Sequence, residues 1–142
     1  MSNLYPENVI NLIKSLPAQQ AVLIVGPHGI GKSQVCAQFA QWAGKPLIDL
    51  RLSQMTEGDF IGLPKIVEEE RSKDGSIVKH GMTEFRPPWW FVRAMVEPVV
   101  VLLDEINRAV PEVMQCAFQL VLDRAVQGRH VHPETVIIAA AN

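Results

Sequence analysis

No run in this chain approaches the ~18 consecutive apolar residues of a bilayer span, so no helical membrane segment is expected. The opening residues, MSNLYPENV, lack the basic-then-apolar layout of a secretory signal. Cysteine is scarce, with only Cys36 and Cys116 present. Both fall on apolar faces of predicted helices and read as small buried thiols rather than as a disulfide or a metal pair. Excess positive charge is missing too: 13 Lys and Arg stand against 15 Asp and Glu, a net charge of −2 with the signs interspersed. A constitutive nucleic-acid binder would usually show a basic face. His130 and His132 would point both rings to one side of a strand, but no third ligand lies near them, and they read as exposed hairpin residues. These absences leave a cytoplasmic chain as the expectation. With 48% hydrophobic residues, 142 residues can bury one core, so a single domain is expected.

What the chain does have is GPHGIGKS at residues 26–33, a complete G-x-x-x-x-G-K-[ST] loop. Ala21 to Val25 before it form a short apolar run that reads as a buried strand. After it, Lys32 to Ala43 reads as a helix with Val35, Phe39 and Ala43 on one face. Strand, glycine-rich loop and helix are the setting in which such a loop cradles the phosphates of a nucleoside triphosphate. Gly26, Gly29 and Gly31 allow positive φ angles and a close backbone approach to phosphate oxygens. The helix N-terminus adds N–H donors and partial positive charge. The candidate nucleotide-binding residues are Gly26, Pro27, His28, Gly29, Ile30, Gly31, Lys32, Ser33 and Gln34. Lys32 can reach the β- and γ-phosphates, and the Ser33 hydroxyl is placed to ligate Mg²⁺. His28 stands at a variable loop position and reads as filler.

The rest of the chain alternates strands and helices. Pro6 to Leu16 reads as a short helix with Val9, Ile10, Ile13 and Leu16 on one side. Gly44 suits a helix end, and Leu47 to Leu52 a second strand. Residues 53–92 break the rhythm. Ile66 to Glu70 and Ile77 to His80, around Asp74-Gly75, read as an exposed hairpin insertion. Trp89 and Trp90 are expected to pack beneath it rather than stack on bases. Pro98 to Leu103 is a strand apolar throughout, hence covered on both faces. Pro111 to Val126 is a helix with Met114, Ala117, Phe118, Val121 and Ala125 facing inward. Gln127 to Pro133 is a tight turn or hairpin, and Thr135 to Ala141 a fourth strand.

VVVLLDE at residues 99–105 is a second constellation: a buried strand ending in two carboxylates. Two acids at the carboxyl end of a central strand are costly to bury unless something positive sits there. Ligands of open α/β sheets bind outside those ends. Asp104 is thus placed to hold Mg²⁺, and Glu105 to orient or deprotonate an attacking water. Asn142, closing the last strand, could hold that water or the γ-phosphate through its amide.

GPHGIGKS, VVVLLDEIN with Arg108 behind it, and IIAAAN resemble the Walker A, Walker B and sensor 1 segments of AAA+ ATPases. DEINRAVPEVMQCAFQLVLDRAV, and the hairpin between RLSQMTEGDFIGLP and FRPPWWF, look like the MoxR and dynein-related (midasin-like) branch. The resemblance implies a P-loop NTPase three-layer α/β sandwich with a central parallel sheet. In it the Asn142 strand lies between the phosphate-loop strand and the Asp104 strand, and a β-hairpin at about 64–81 is inserted in helix 2. It implies Lys32 and Ser33 on phosphate and Mg²⁺, Asp104 on Mg²⁺, Glu105 as catalytic base and Asn142 as sensor 1. It further implies ATP hydrolysis coupled to remodelling of a partner complex, a homo-hexameric ring, and a von Willebrand factor A domain partner protein. An arginine finger, fifth strand, helical lid and sensor 2 would follow residue 142. Residues 1–142 therefore read as a partial, N-terminal module with an open apolar sheet edge and little activity alone. Arg108, Arg124 and Arg129 are candidates for contacts between subunits. Two other readings stay open: a nucleotide-sensing binding module without hydrolysis, and the motor of a GTP-dependent nucleic-acid enzyme.

Overall fold

The structure is a computed structural model and describes residues 6–27, 31–71, 75 and 77–142. Four parallel strands form its centre: β1 (Val22–Val25), β2 (Leu47–Arg51), β5 (Val100–Asp104) and β8 (Val136–Ala141), in the order β1-β8-β5-β2. The strand ending before Asn142 lies between the other two site strands, as the resemblance implied. Successive side chains of β5 point to opposite faces, and Val100, Val101, Leu102 and Leu103 are all fully buried. Burial of such a side chain is worth about 2 kcal/mol, which is why the apolar run occupies the centre of the sheet.

Each face has its own helical cover. On one side α1 (Pro6–Ser15) and α2 (Lys32–Ala43) bring Ile13, Val35, Cys36, Phe39 and Ala40 against Val100, Leu102, Val136 and Ile138. On the other, α3 (Glu57–Ile61), α4 (Trp89–Val96) and α5 (Pro111–Asp123) cover Val101, Leu103, Ile137 and Ala139. This is the expected three-layer sandwich. The predicted open edge is present on β1, where Leu23 and Val25 are exposed.

Several expectations need correction. The buried stripe of α5 is Val113, Ala117 and Leu120, while Met114 and Val121 pack at its flank and Phe118 is exposed. The helix is apolar over a wider arc than one packing face can cover, so the sheet selects a stripe rotated from the predicted one. The helix also ends at Asp123. Ala125 and Val126 (β6) instead pair with Arg129 and His130 (β7) around Gln127 and Gly128, whose φ angles of 51° and 76° suit a two-residue hairpin turn. His130 is exposed, but His132 lies beyond β7 and its Nδ1 accepts the Glu134 N–H, so the two rings do not share a strand face.

The inserted hairpin is longer than predicted: β3 (Leu63–Arg71) pairs with β4 (Ile77–Arg86), from Leu63 opposite Arg86 to Arg71 opposite Ile77. Its second strand runs on through Phe85 and Arg86 until Pro87-Pro88 stops it. At its base Gly62 has φ 92°, and a Cβ there would fall 1.7 Å from the Arg86 carbonyl oxygen. Only glycine fits that approach. The two tryptophans part company. Trp90 is 2% exposed, lies against Phe60 and Phe91, and donates its indole N–H to Asp59 O, whereas Trp89 is 70% exposed.

Candidate functional site

At the end of β1, Gly26 N–H donates to Ala141 O, tying the loop to the end of β8. His28, Gly29 and Ile30 lie outside the described residues. The loop re-emerges at Gly31, whose φ of 80° and ψ of 27° are left-handed. Gly31 at the N-cap has no side chain to offer, so the first N–H groups of α2 take no side-chain cap from it. Pro27 and Gln34, at the loop's two ends, are exposed.

Lys32 is 9% exposed. Its Nζ donates to the carbonyl oxygens of Gly26 (2.7 Å) and Ala141 (2.8 Å) and to Asn142 Oδ1 (2.8 Å). These acceptors satisfy the ammonium's donors and leave its charge uncompensated, so it suits an anion alongside. Ser33 Oγ donates to Asp104 Oδ2 at 3.4 Å, and Asp104 Oδ1 accepts the Glu105 N–H at 2.9 Å. Glu105 itself is left-handed, with φ 55° and ψ 40°. A non-glycine residue held there costs on the order of 1 kcal/mol. Behind it Cys36 is buried, and its thiol is pushed up to about 12, chiefly by burial and then by the charges of Asp104 and Asp49. That thiol is inert packing, as expected.

Two residues at the site escaped the sequence reading. Ser53, in the 3-10 turn Leu52–Gln54 that follows β2, donates its hydroxyl to the Glu105 carboxylate. Asn107, in the 3-10 turn Ile106–Arg108, exchanges hydrogen bonds with the Asn142 main chain, each 3.4 Å long. The signal for Ser53 was its place: the first hydroxyl beyond a strand that pairs beside the acidic one, Arg51 lying opposite Asp104. Of the three arginines considered for contacts between subunits, two are engaged within the chain. Arg124 donates to the carbonyls of Ala18, His132, Pro133 and Thr135. Arg129 donates to Phe85 O and pairs with Glu84. Arg108 is exposed.

A family model described as the AAA domain (dynein-related subfamily) matches residues 21–142. The chain belongs to that family. Membership makes this an AAA-type ATPase domain, and the match runs from the phosphate-loop strand to Asn142. Among curated relatives, midasin of Giardia intestinalis is 29% identical over 111 residues, 77% of this chain and 2% of midasin. A tRNA dimethylallyltransferase 2 of Parabacteroides distasonis is 30% identical over 95 residues, 66% of this chain and 30% of that protein. The chain thus spans under a third of either relative. Among solved structures, NtrX from Brucella abortus superposes on 99% of this chain and 31% of its own, with a TM-score of 0.56 at 15% identity. NtrX in complex with ADP gives 0.57 at 17% identity, over 99% of this chain and 30% of that one. These likenesses establish the fold. No helix among the described residues is long and apolar enough to cross a membrane.

Proposed function

We propose that this domain binds Mg-ATP at the tips of β1, β8 and β5 and hydrolyses it, and that the cycle drives remodelling of a partner protein complex in the manner of MoxR-type ATPases. The observation that carries the reading is the meeting of Lys32 and Ser33 at one helix start with Asn142 and Asp104-Glu105 at two adjacent strand ends, Lys32 bonded to Asn142 and Ser33 to Asp104. The donor set suits the ligand. An uncapped helix N-terminus and a lysine ringed by neutral acceptors favour a polyphosphate. A hydroxyl beside a carboxylate oxygen is the hard-oxygen pair that Mg²⁺ prefers. The ADP complex of the NtrX neighbour supports a nucleotide as the ligand.

In this reading Lys32 turns from its backbone acceptors to the β- and γ-phosphates, and residues 26–34, including His28, Gly29 and Ile30, line the cradle. Ser33 and Asp104 hold the metal ion, which would neutralise charge on the phosphate oxygens. Glu105 leaves the Ser53 hydroxyl to take the proton of an attacking water, and Asn142 orients that water or the γ-phosphate. The β3–β4 hairpin is the element that carries the resulting movement to the partner. A cytoplasmic homo-hexameric ring and a von Willebrand factor A domain partner follow from the MoxR-like resemblance and belong to the same proposal.

A phosphate-release assay on the full-length protein tests it, with Lys32→Ala as the comparison. ATP-dependent turnover in the parent, with affinity and turnover both lowered at least ~100-fold in the variant, is the expected outcome. Equal turnover in the two proteins would remove the assignment. Nucleotide binding without any phosphate release would favour the sensing module instead.

A further inference from the structure

We propose that Asn107 is a positioning residue for ATP hydrolysis, a side-chain brace that sets Asn142 against Glu105. The inference rests on the ATPase reading above, in which Asn142 meets the γ-phosphate or the attacking water.

The need for a brace comes from where the strand pairing ends. β5 and β8 pair from Val100 opposite Val136 to Leu103 opposite Ala139. β8 then runs on through Ala140 and Ala141 to Asn142 with no further β5 partner in the ladder. On its other side Val25 still stands opposite Ala141, and Gly26 N–H donates to Ala141 O. Peptide groups of successive strand residues point to alternate sides. Because Ala141 O points toward β1, the N–H and C=O of Asn142 point toward β5, whose chain has by then turned away. Glu105, with its left-handed φ of 55°, begins that turn, and Arg108 N–H closes it on Glu105 O at 2.9 Å. Ile106, 4% exposed, pins the turn to the core.

Asn107, the next residue, fills the vacated ladder position. Its Nδ2 donates to Asn142 O and its Oδ1 accepts the Asn142 N–H, each at 3.4 Å. Both bonds are long, but they are reciprocal, as between neighbouring strands. A short carboxamide offers one donor and one acceptor in that fork, whereas aspartate lacks the donor and leucine lacks both. Asn107 is exposed, so packing does not account for an amide there.

The consequence is positional. Asn142 Oδ1 already accepts from Lys32 Nζ at 2.8 Å, which leaves its amide N–H groups to donate to a substrate oxygen. Glu105 and Asn107 flank Ile106 in one turn, so the brace ties Asn142 to the turn that carries the carboxylate. Such orientation matters most at the moment of reaction: a misplacement of about 1 Å can cost roughly 10²-fold in rate.

Phosphate release by the full-length protein is measured for the parent, Asn107→Ala, Asn142→Ala and the double variant, with Lys32→Ala alongside. Asn107→Ala should lower kcat about tenfold or more and leave KM for ATP within about threefold. On the Asn142→Ala background the same change should alter kcat by less than about twofold, because no side chain is left to orient. A merely structural role would cost rate in both backgrounds. Exchange of the Asn142 amide hydrogen should also quicken in Asn107→Ala, a readout that needs no turnover. Asn107→Asp keeps the shape should alanine disturb the fold, and it should lose as much, since its carboxylate would meet the Asn142 carbonyl oxygen. Equal losses in both backgrounds, a raised KM with kcat unchanged, unchanged amide exchange, or parent-like turnover in Asn107→Ala or Asn142→Ala would overturn the proposal. A parent without turnover, or one matched by Lys32→Ala, fails the ATPase reading and this proposal with it. A large loss in Lys32→Ala confines any failure to Asn107.

Discussion

At the tips of β1, β8 and β5, side chains from distant parts of the chain hold one another: Lys32 with Asn142, Ser33 with Asp104, Ser53 with Glu105. Of the strands beneath them, β5 and β8 are packed between helices on both faces, so a small change at one of their tips is felt at the other. The hairpin end is built differently. Leu63, Ile66 and Trp89 there are exposed, and the anchors to the body gather at the base, where Gly62 meets Arg86 and Arg129 holds Glu84 and Phe85. The candidate site sits on the buried sheet, and the hairpin projects from that body on an attachment at Gly62 and residues 84–86. A substitution at the first end should therefore cost rate without cost in folding, and one at the attachment should do the reverse.

The sharpest break of that contrast is Glu105→Gln. The amide keeps the shape and can still accept the Ser53 hydroxyl, but it cannot take a proton. Turnover in the full-length protein should fall by about 10²–10⁴-fold, while ATP affinity by isothermal titration and the melting temperature stay near the parent values. A variant that turns over at the parent rate removes Glu105 from the proton transfer. A variant that melts early shows instead that its left-handed backbone, not its carboxylate, is the sensitive feature.

Next in size is Gly62→Ala. The added Cβ would sit 1.7 Å from Arg86 O at a φ of 92°, so the hairpin's base must shift. A loss of about 2–4 kcal/mol is expected in denaturant unfolding, the range of strain at a special backbone conformation. Amide exchange should quicken through residues 63–66 and 83–86 more than in β5. If β5 loosens equally, the hairpin is not separately attached, and the contrast between the two ends fails.

How much of this could be read in advance divides along the same line. The phosphate loop and the acidic strand were legible because each is a local pattern: an apolar run, then the polar residues that the chemistry needs. The order of the strands came with the resemblance. Ser53 and Asn107 were not legible, since what makes them part of the site is the pairing of β2 with β5 and the meeting of two strand ends, contacts that no local spacing encodes. Phe118 was misplaced because period alone cannot say which part of a broad apolar arc the sheet will cover. Helix α4 went unassigned: WWFVRAMV after two prolines holds a single polar residue, Arg93, too few to mark a helical period, and its capture by the core, through Trp90 and Phe91, is a tertiary event.

The smallest effect belongs to the short helix that leads into the hairpin. Thr56 caps α3, its hydroxyl accepting the Asp59 N–H while Asp59 Oδ2 accepts the Thr56 N–H. Replacing Thr56 by alanine removes one half of this reciprocal pair and should cost about 1 kcal/mol. The other half gives a signature in pH. Hydrogen bonds from the Thr56 backbone and then its side chain hold the Asp59 carboxyl below its ordinary value of 3.8. A carboxylate whose folded pKa is depressed lends stability that is fully present above the unfolded value and is lost as pH falls through the folded one. Acid unfolding below about pH 4 should therefore flatten in Asp59→Asn, which cannot titrate. Thr56→Ala should flatten it in part, since it keeps the backbone donor. Because α3 lies at the hairpin's attachment, both variants should leave ATP turnover at neutral pH near the parent rate. A large drop in turnover from either would mean that the hairpin's footing and the nucleotide cradle are mechanically one body, and the division between the two ends would have to be given up.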